Sequence, residues 1–228
     1  KKRLSKRHAA TSLNAYKEMG FTKETIINAL ALLGWSTENE IFSIDELIES
    51  FKLENVQKAA AVFDLKRFNW VSSQQLARLD EKGFFEVIKP FMEDEDINET
   101  FPNYKKILLA MRTSKTNLKD IAHATRPFFF ELDGYDEKGV KKFLNESLET
   151  LTFALEVLSK LTEWNETELD MALIKVRDYF NLPIPKVNQP MRIALVGSTV
   201  SPSLGLTLEL FGKEKSLERI QKAIDFIS

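Results

Sequence analysis

The chain has 228 residues, 43% of them hydrophobic and 29% charged, with no cysteine. That apolar content builds a buried core and excludes disorder over most of the chain, while the absence of Cys excludes a disulfide framework, a thiol nucleophile and cysteine-ligated zinc. The net charge of −2 hides a basic start: Lys1, Lys2, Arg3, Lys6 and Arg7 precede a body in which the other 27 basic residues face 34 acids, a pattern that suits a polyphosphate or nucleic-acid partner.

After the basic start, Thr22 is placed to cap a helix in which Ile26, Ile27, Leu30 and Leu33 share a face, with Gly34 as its left-handed stop. Ser43 and Glu46 form a capping box for a helix expected to bury Ile44, Leu47, Ile48 and Phe51. Val62-Phe63-Asp64-Leu65 is too short for a helix on its own and reads as extended, with Phe68 and Trp70 following; Trp70 is expected in the core. Helical spacing returns over 84–91 and again over 104–111, and Phe128 to Phe130 read as an apolar plug between helices. Leu144, Leu148, Leu151 and Leu155 place one helix over roughly 136–161. Asn165 with Glu168 caps another that carries Leu169, Leu173, Val176 and Phe180 and stops before Pro183 and Pro185. Leu204 to Phe211 reads as a helix started by Ser201-Pro202, although the alternation of Leu204, Leu206, Leu208 and Leu210 also fits a strand. Ser216 is expected to cap the last helix, with Leu217, Ile220, Ile224 and Ile227 inward.

Neither a GxGxxG nor a Walker loop occurs, and the carboxylates are scattered over helix faces. The two histidines, His8 and His123, are too far apart in sequence to suggest a His-rich metal site. No apolar run approaches the ~20 residues of a membrane span. No signal-peptide pattern occurs either, so the expected location is the cytoplasm.

The segment Arg3-Leu4-Ser5-Lys6-Arg7 resembles the KMSKS loop of class I aminoacyl-tRNA synthetases, in the KLSKR form of glutamyl-tRNA synthetases. Tyr16-Lys17-Glu18-Met19-Gly20-Phe21, Asn28 to Trp35 and Val62 to Leu65 resemble the stretch beyond that loop in the bacterial enzymes. Gln189-Pro190-Met191-Arg192, Gly197-Ser198, Ser201-Pro202 and Leu208 to Lys213 resemble the family's closing region. The resemblance implies that Lys6 is catalytic, placing its ammonium on the ATP phosphates as charge develops, with Ser5 and Arg7 beside it as ATP-binding residues. It further implies tRNA contacts at Arg112, Ser114, Lys115, Arg192, Gly197, Ser198, Ser201, Pro202 and Leu204, and no metal ligands. Ala9 stands where the family usually has Gly. Ser114 aligns with an anticodon-reading Arg of members that charge only glutamate tRNAs. A hydroxyl lacks the two-donor fork of a guanidinium, so the parent enzyme is expected to accept tRNA(Gln) as well.

The expected fold is mainly α: a small α/β stem-contact-like region over 1–80, then two all-helical anticodon-binding subdomains over 81–133 and 134–228. The expected function is tRNA recognition within a glutamate–tRNA ligase that uses ATP and Mg²⁺. The HIGH-motif catalytic domain and glutamate pocket are absent from this sequence, so the fragment is expected to be inactive by itself, to bind no cofactor alone and to be a monomer. The competing reading is a helical protein-interaction module with a basic N-terminal tail.

Overall fold

The computed structural model describes residues 12–35, 37–57 and 63–228, which divide into two units. The first unit comprises residues up to Asn98 together with Lys115–His123; the second comprises Glu99–Ser114 and Ala124–Ser228.

In the first unit, α1 (Leu13–Glu18) starts where the Ser12 hydroxyl accepts from the Ala15 N–H, and α2 (Lys23–Gly34) starts at Thr22 as its sequence predicts. Gly34 remains helical; α2 is ended by the extended backbone of Trp35, whose pairing with Val56 is an isolated antiparallel bridge. The capping box of Ser43 and Glu46 opens α3 (Ile44–Ser50). Its apolar side is only partly covered: Ile44 and Leu47 are half-buried, while Ile48 is 71% exposed and Phe51, whose ring meets Trp35, is 44% exposed. Asp64 caps α4 (Leu65–Arg78) by accepting from the Lys66 and Arg67 N–H groups. Phe68 of α4 joins Tyr16, Phe21 and Phe63 in an aromatic cluster, whereas Trp70 points outward at 43% exposure, contrary to the expectation that it is core. The helical period explains the difference, since Phe68, Val71, Ser72, Gln75 and Leu76 already fill the inner face of α4. Asn28 and Gln75 lock α2, α4 and the segment before α3 together. The Asn28 amide donates to Glu40 O at 2.9 Å and accepts from the Phe42 N–H and the Gln75 Nε2, the latter at 2.7 Å. Helix α5 (Glu81–Asp94) follows from the Asp80 cap and buries Phe84, Ile88 and Met92, one side chain per turn.

The second unit begins with α6 (Tyr104–Met111). Helix α7 (Leu118–Phe129) belongs to the first unit up to His123 and to the second from Ala124, and ends in the aromatic run, where Phe101 meets Phe129 and Phe130 edge-on and Phe128 stacks flat on Phe211. The single helix expected over 136–161 is broken. A short α8 (Glu137–Gly139) leads into a π-turn over Val140–Leu144, and α9 (Leu148–Ser159) starts afresh after Ser147. The wider turn keeps both Gly139 and Leu144 buried, which a regular α-helix continuing into α9 does not do. Asn165 caps α10 (Glu166–Phe180) through its bond from the Glu168 N–H. Pro183 and Pro185 do not end α10, which closes on the left-handed Asn181; they start α11 (Ile184–Val196) instead. The near-continuous apolar run from Ile193 to Val196 reflects the position of α11 in the middle of the core, with α9, α10, α12 (Leu204–Phe211) and α13 (Lys213–Ile227) around it. Segment 204–211 is thus helix, not strand. Gly212, at φ 77°, both ends α12 and starts α13, so Ser216 is not a cap; it is buried inside α13 and donates to Leu208 O at 3.2 Å.

Candidate functional site

The second unit gathers polar residues where α11 gives way to α12. Helix α11 stops at Gly197, whose φ of 72° favours glycine and whose missing Cβ would lie 2.8 Å from Gly134 O. The Gly197 carbonyl accepts from the Asp136 N–H at 2.8 Å, so the 131–136 loop is stitched to the end of α11. Beyond it, Ser198 closes on Val200, and the chain turns through Ser201 and Pro202 into α12 at Leu204.

Arg192 spans this turn from the last part of α11. Its Nε donates to the Ser201 hydroxyl at 3.1 Å and one terminal nitrogen donates to Pro202 O at 3.4 Å. The Ser201 hydroxyl in turn donates to Pro202 O, and the Thr207 hydroxyl lies 3.1 Å from the Ser201 oxygen. A guanidinium carries five N–H donors, and these contacts use two of them. Burial pushes the Arg192 pKa down, since the charge sits partly out of water, and no carboxylate among the described residues pairs with it. One turn earlier on α11, Gln189 holds its Oε1 buried with no hydrogen-bond partner. The Arg192 donors left over are the groups here suited to a base edge, while the Gln189 Oε1, three residues earlier, is an unused acceptor enclosed by protein.

The corner is held from behind by Arg219, which is 2% exposed. It donates to Leu195 O at 2.5 Å and to Phe130 O at 2.7 Å, and its guanidinium lies over the Phe211 ring at 4.5 Å. These bonds occupy carbonyls at the ends of α11 and α7 that no helix partner satisfies. Glu131 takes hydrogen bonds from Lys215 and Lys222, which hold its carboxyl below the usual range.

Of the residues singled out from the sequence, Arg192, Gly197, Ser198, Ser201, Pro202 and Leu204 are therefore brought into one corner. Arg112, Ser114 and Lys115 stand elsewhere, in the turn that follows α6. The Arg112 N–H bonds back to Leu109 O at 3.4 Å and the Ser114 N–H to Met111 O at 2.9 Å, while the Ser114 hydroxyl is buried without a partner. Ser5, Lys6 and Arg7 lie outside the described residues, as does His8. His123 is an exposed helix residue whose Nδ1 lies 3.2 Å from the Glu95 carboxylate. Sequence reasoning missed Gln189 as an acceptor and Arg219 as a brace. Gln189 was visible beside Arg192 in the same four-residue motif; Arg219 had no signal, since an Arg on an amphipathic helix reads as solvated.

Among the described residues, no group of three or more His, Asp or Glu side chains is placed to hold a metal ion, and no helix is long and apolar enough to cross a membrane.

The chain is similar to known proteins over its whole length. The family described as "Anticodon binding domain" matches residues 76–224, and "tRNA synthetases class I (E and Q), catalytic domain" matches residues 1–70. A glutamate–tRNA ligase of Thermodesulfovibrio yellowstonii is 34% identical over 230 residues, covering 98% of this chain and 50% of its own length. Glutamate–tRNA ligase 1 of Syntrophus aciditrophicus is 36% identical over 230 residues, covering 100% of this chain and 49% of its own. Among solved structures, a glutamate tRNA ligase from Elizabethkingia meningosepticum in complex with its amino acid superposes with a TM-score of 0.74 at 29% identity, over 93% of this chain and 43% of that one. The chain spans about half the length of the curated relatives it matches.

Proposed function

Given that the chain belongs to the anticodon-binding-domain family of the bacterial glutamate–tRNA ligases, we propose that it is the tRNA-recognising part of an enzyme that joins glutamate to tRNA(Glu) in the cytoplasm. The observation that carries this reading is the α11–α12 corner: the half-buried Arg192 guanidinium spends two of its five donors on the turn and keeps the others. Hydrogen bonds to base edges specify, and a half-buried fork specifies more sharply than a solvated one. Gly197, Ser198, Ser201, Pro202 and Leu204 shape the turn against which a nucleotide rests. Arg112, Ser114 and Lys115 add contacts from the turn after α6. Within this reading the chain divides near residues 80 and 133, is a monomer, and presents Lys66 and Arg67 toward the tRNA stem.

In the whole enzyme, ATP with Mg²⁺ supplies the activated phosphoanhydride for acyl transfer. The share of this chain is electrostatic: Lys6, with Ser5 and Arg7, offsets charge on the phosphates. The glutamate and adenosine pockets belong to the other half, so this chain by itself binds tRNA without charging it.

A second reading concerns specificity. Ser114 holds a short, buried hydroxyl where a guanidinium would impose a fork, so on this reading the enzyme also accepts tRNA(Gln).

Titrating the chain against tRNA(Glu), the same tRNA with its anticodon changed, and tRNA(Gln) at two salt concentrations tests these readings. Salt-sensitive binding that falls with the anticodon change supports the first, and equal binding of tRNA(Gln) supports the second. Salt-insensitive behaviour without RNA binding points to the protein-interaction module.

A further inference from the structure

An acidic body that binds RNA must keep its free positive charge in one place. In the second unit, most basic side chains are engaged. Lys106 pairs with Glu209, Lys160 with Glu156, Arg177 with Asp178, and Lys186 with Glu146. Lys215 and Lys222 share Glu131 and Glu218, and Lys213 caps Leu161 O. Lys105, Arg112 and Arg126 also have interactions. Among the described residues of this unit, the cations with neither an ion pair nor a hydrogen bond are Lys138, Lys141, Lys142 and Lys175. Three of these four lie within five residues of one another, on α8 and the π-turn.

Three contacts fix where that segment runs. Asp136 N–H bonds to Gly197 O at 2.8 Å. The missing Cβ of Gly139 would lie 3.0 Å from Ile193 Cδ1, and Glu146 pairs with Lys186 at 3.8 Å. The segment therefore runs antiparallel to α11, starting at the Gly197 corner and reaching Lys186 eleven residues earlier, about 16 Å at the helical rise. Gly139 and Leu144 are buried and Val140 and Phe143 half-buried, which leaves Lys138, Lys141 and Lys142 on the outer side, all exposed. The π-turn carries Lys141 and Lys142, and α8 carries Lys138. Of the acids nearby, Asp136 is spent on the Gly139 N–H and Glu146 on Lys186, leaving Asp133 and Glu137 unengaged.

The geometry points to a phosphate-binding track: Lys138, Lys141 and Lys142 hold the RNA sugar-phosphate backbone as it leaves the α11–α12 corner. This rests on the reading of that corner as the anticodon site. Flexible ammonium groups suit the task, since each follows a phosphate as a point charge without the fork that reads bases. The track therefore supplies affinity and salt dependence but no sequence preference.

The test is fluorescence anisotropy on the full chain with a labelled tRNA(Glu) transcript and the same transcript with its anticodon changed, across a salt series. The variants are the triple Lys138→Gln, Lys141→Gln, Lys142→Gln and the control Lys175→Gln, each checked for unchanged far-UV dichroism and melting. The triple variant is expected to weaken both RNAs by the same factor, about tenfold at low salt, and to flatten the salt slope by about 2, at ~0.7 per single-strand phosphate. Lys175→Gln is expected to change neither. A triple variant with wild-type affinity and slope overturns the track, and a retained preference for the native anticodon then leaves the corner reading standing. A wild type that shows no anticodon preference, while the triple variant still flattens the slope, overturns the corner reading and keeps the track. Wild-type binding to vesicles containing phosphatidylserine, with no binding to either RNA, overturns both.

Discussion

The Arg192 side chain donates to the Ser201 hydroxyl at 3.1 Å, so the last turn of α11 and the turn that starts α12 are held as one piece. The bond is half of a clamp whose other half is the Pro202 carbonyl. Arg192→Lys keeps the charge but has three donors on one atom instead of five on a fork, so keeping both bonds leaves at most one donor to present outward. Its affinity for tRNA(Glu) is expected to fall by about 1–3 kcal/mol, with most of the loss in discrimination between native and altered anticodons. Binding isotherms with both RNAs check this, and Ser201→Ala is expected to show a smaller loss of the same kind.

The helix punctuation was legible from the sequence wherever it is local. Thr22, Ser43 with Glu46, and Asn165 each cap the helix their spacing announces, because a cap depends only on the next three residues. What escaped depends on distant partners. Trp70 is outward because Phe68 fills the inner face, and the break at 140–147 results from packing against α11. The two prolines before α11 read as an end although they make a beginning, since Pro is compatible with a first helical turn as well as with a stop. At the site, the motif residues around Arg192 were legible, while the brace behind them was not.

Arg219 is that brace. Its replacement by Ala leaves the Leu195 and Phe130 carbonyls without donors and a void beside the Phe211 ring. The expected loss is about 3–5 kcal/mol of folding stability, measured by urea denaturation. Arg219→Met restores volume without charge and is expected to recover part of it.

Close packing of α10 against α12 passes through Gly205. A Cβ there would lie 2.4 Å from Asp170 Oδ1 and 2.9 Å from Glu166 O. The carbonyl belongs to the helix backbone and cannot move aside. Gly205→Ala is therefore expected to lose about 1–3 kcal/mol, seen as a lower urea midpoint at an unchanged slope.

Glu209 supplies a pH-dependent term. Hydrogen bonds from Lys106 and from the Glu166 N–H hold its carboxyl below the ordinary value of 4.5. A folded pKa below the unfolded one adds stability above the unfolded pKa, and that stability is lost as pH falls through the folded value. Glu46, Glu131 and Glu218 shift the same way, so the difference between wild type and Glu209→Gln isolates this group. That difference is expected to be largest near neutral pH and to shrink as the pH falls below 4.5 through the lowered value of the folded state, in melting curves taken across the range.

The joint at Gly212 leaves α12 and α13 with no connecting loop. Each residue inserted there would turn α13 by about 100°, because a helix repeats every ~3.6 residues. One insertion would carry Arg219 out from between the Leu195 and Phe130 carbonyls and release the Ser216 bond to Leu208 O. The exposed face of α13 can change in sequence, whereas the length of the chain at its start cannot change. Insertions and deletions among related proteins should fall elsewhere, in surface turns that bear no such register.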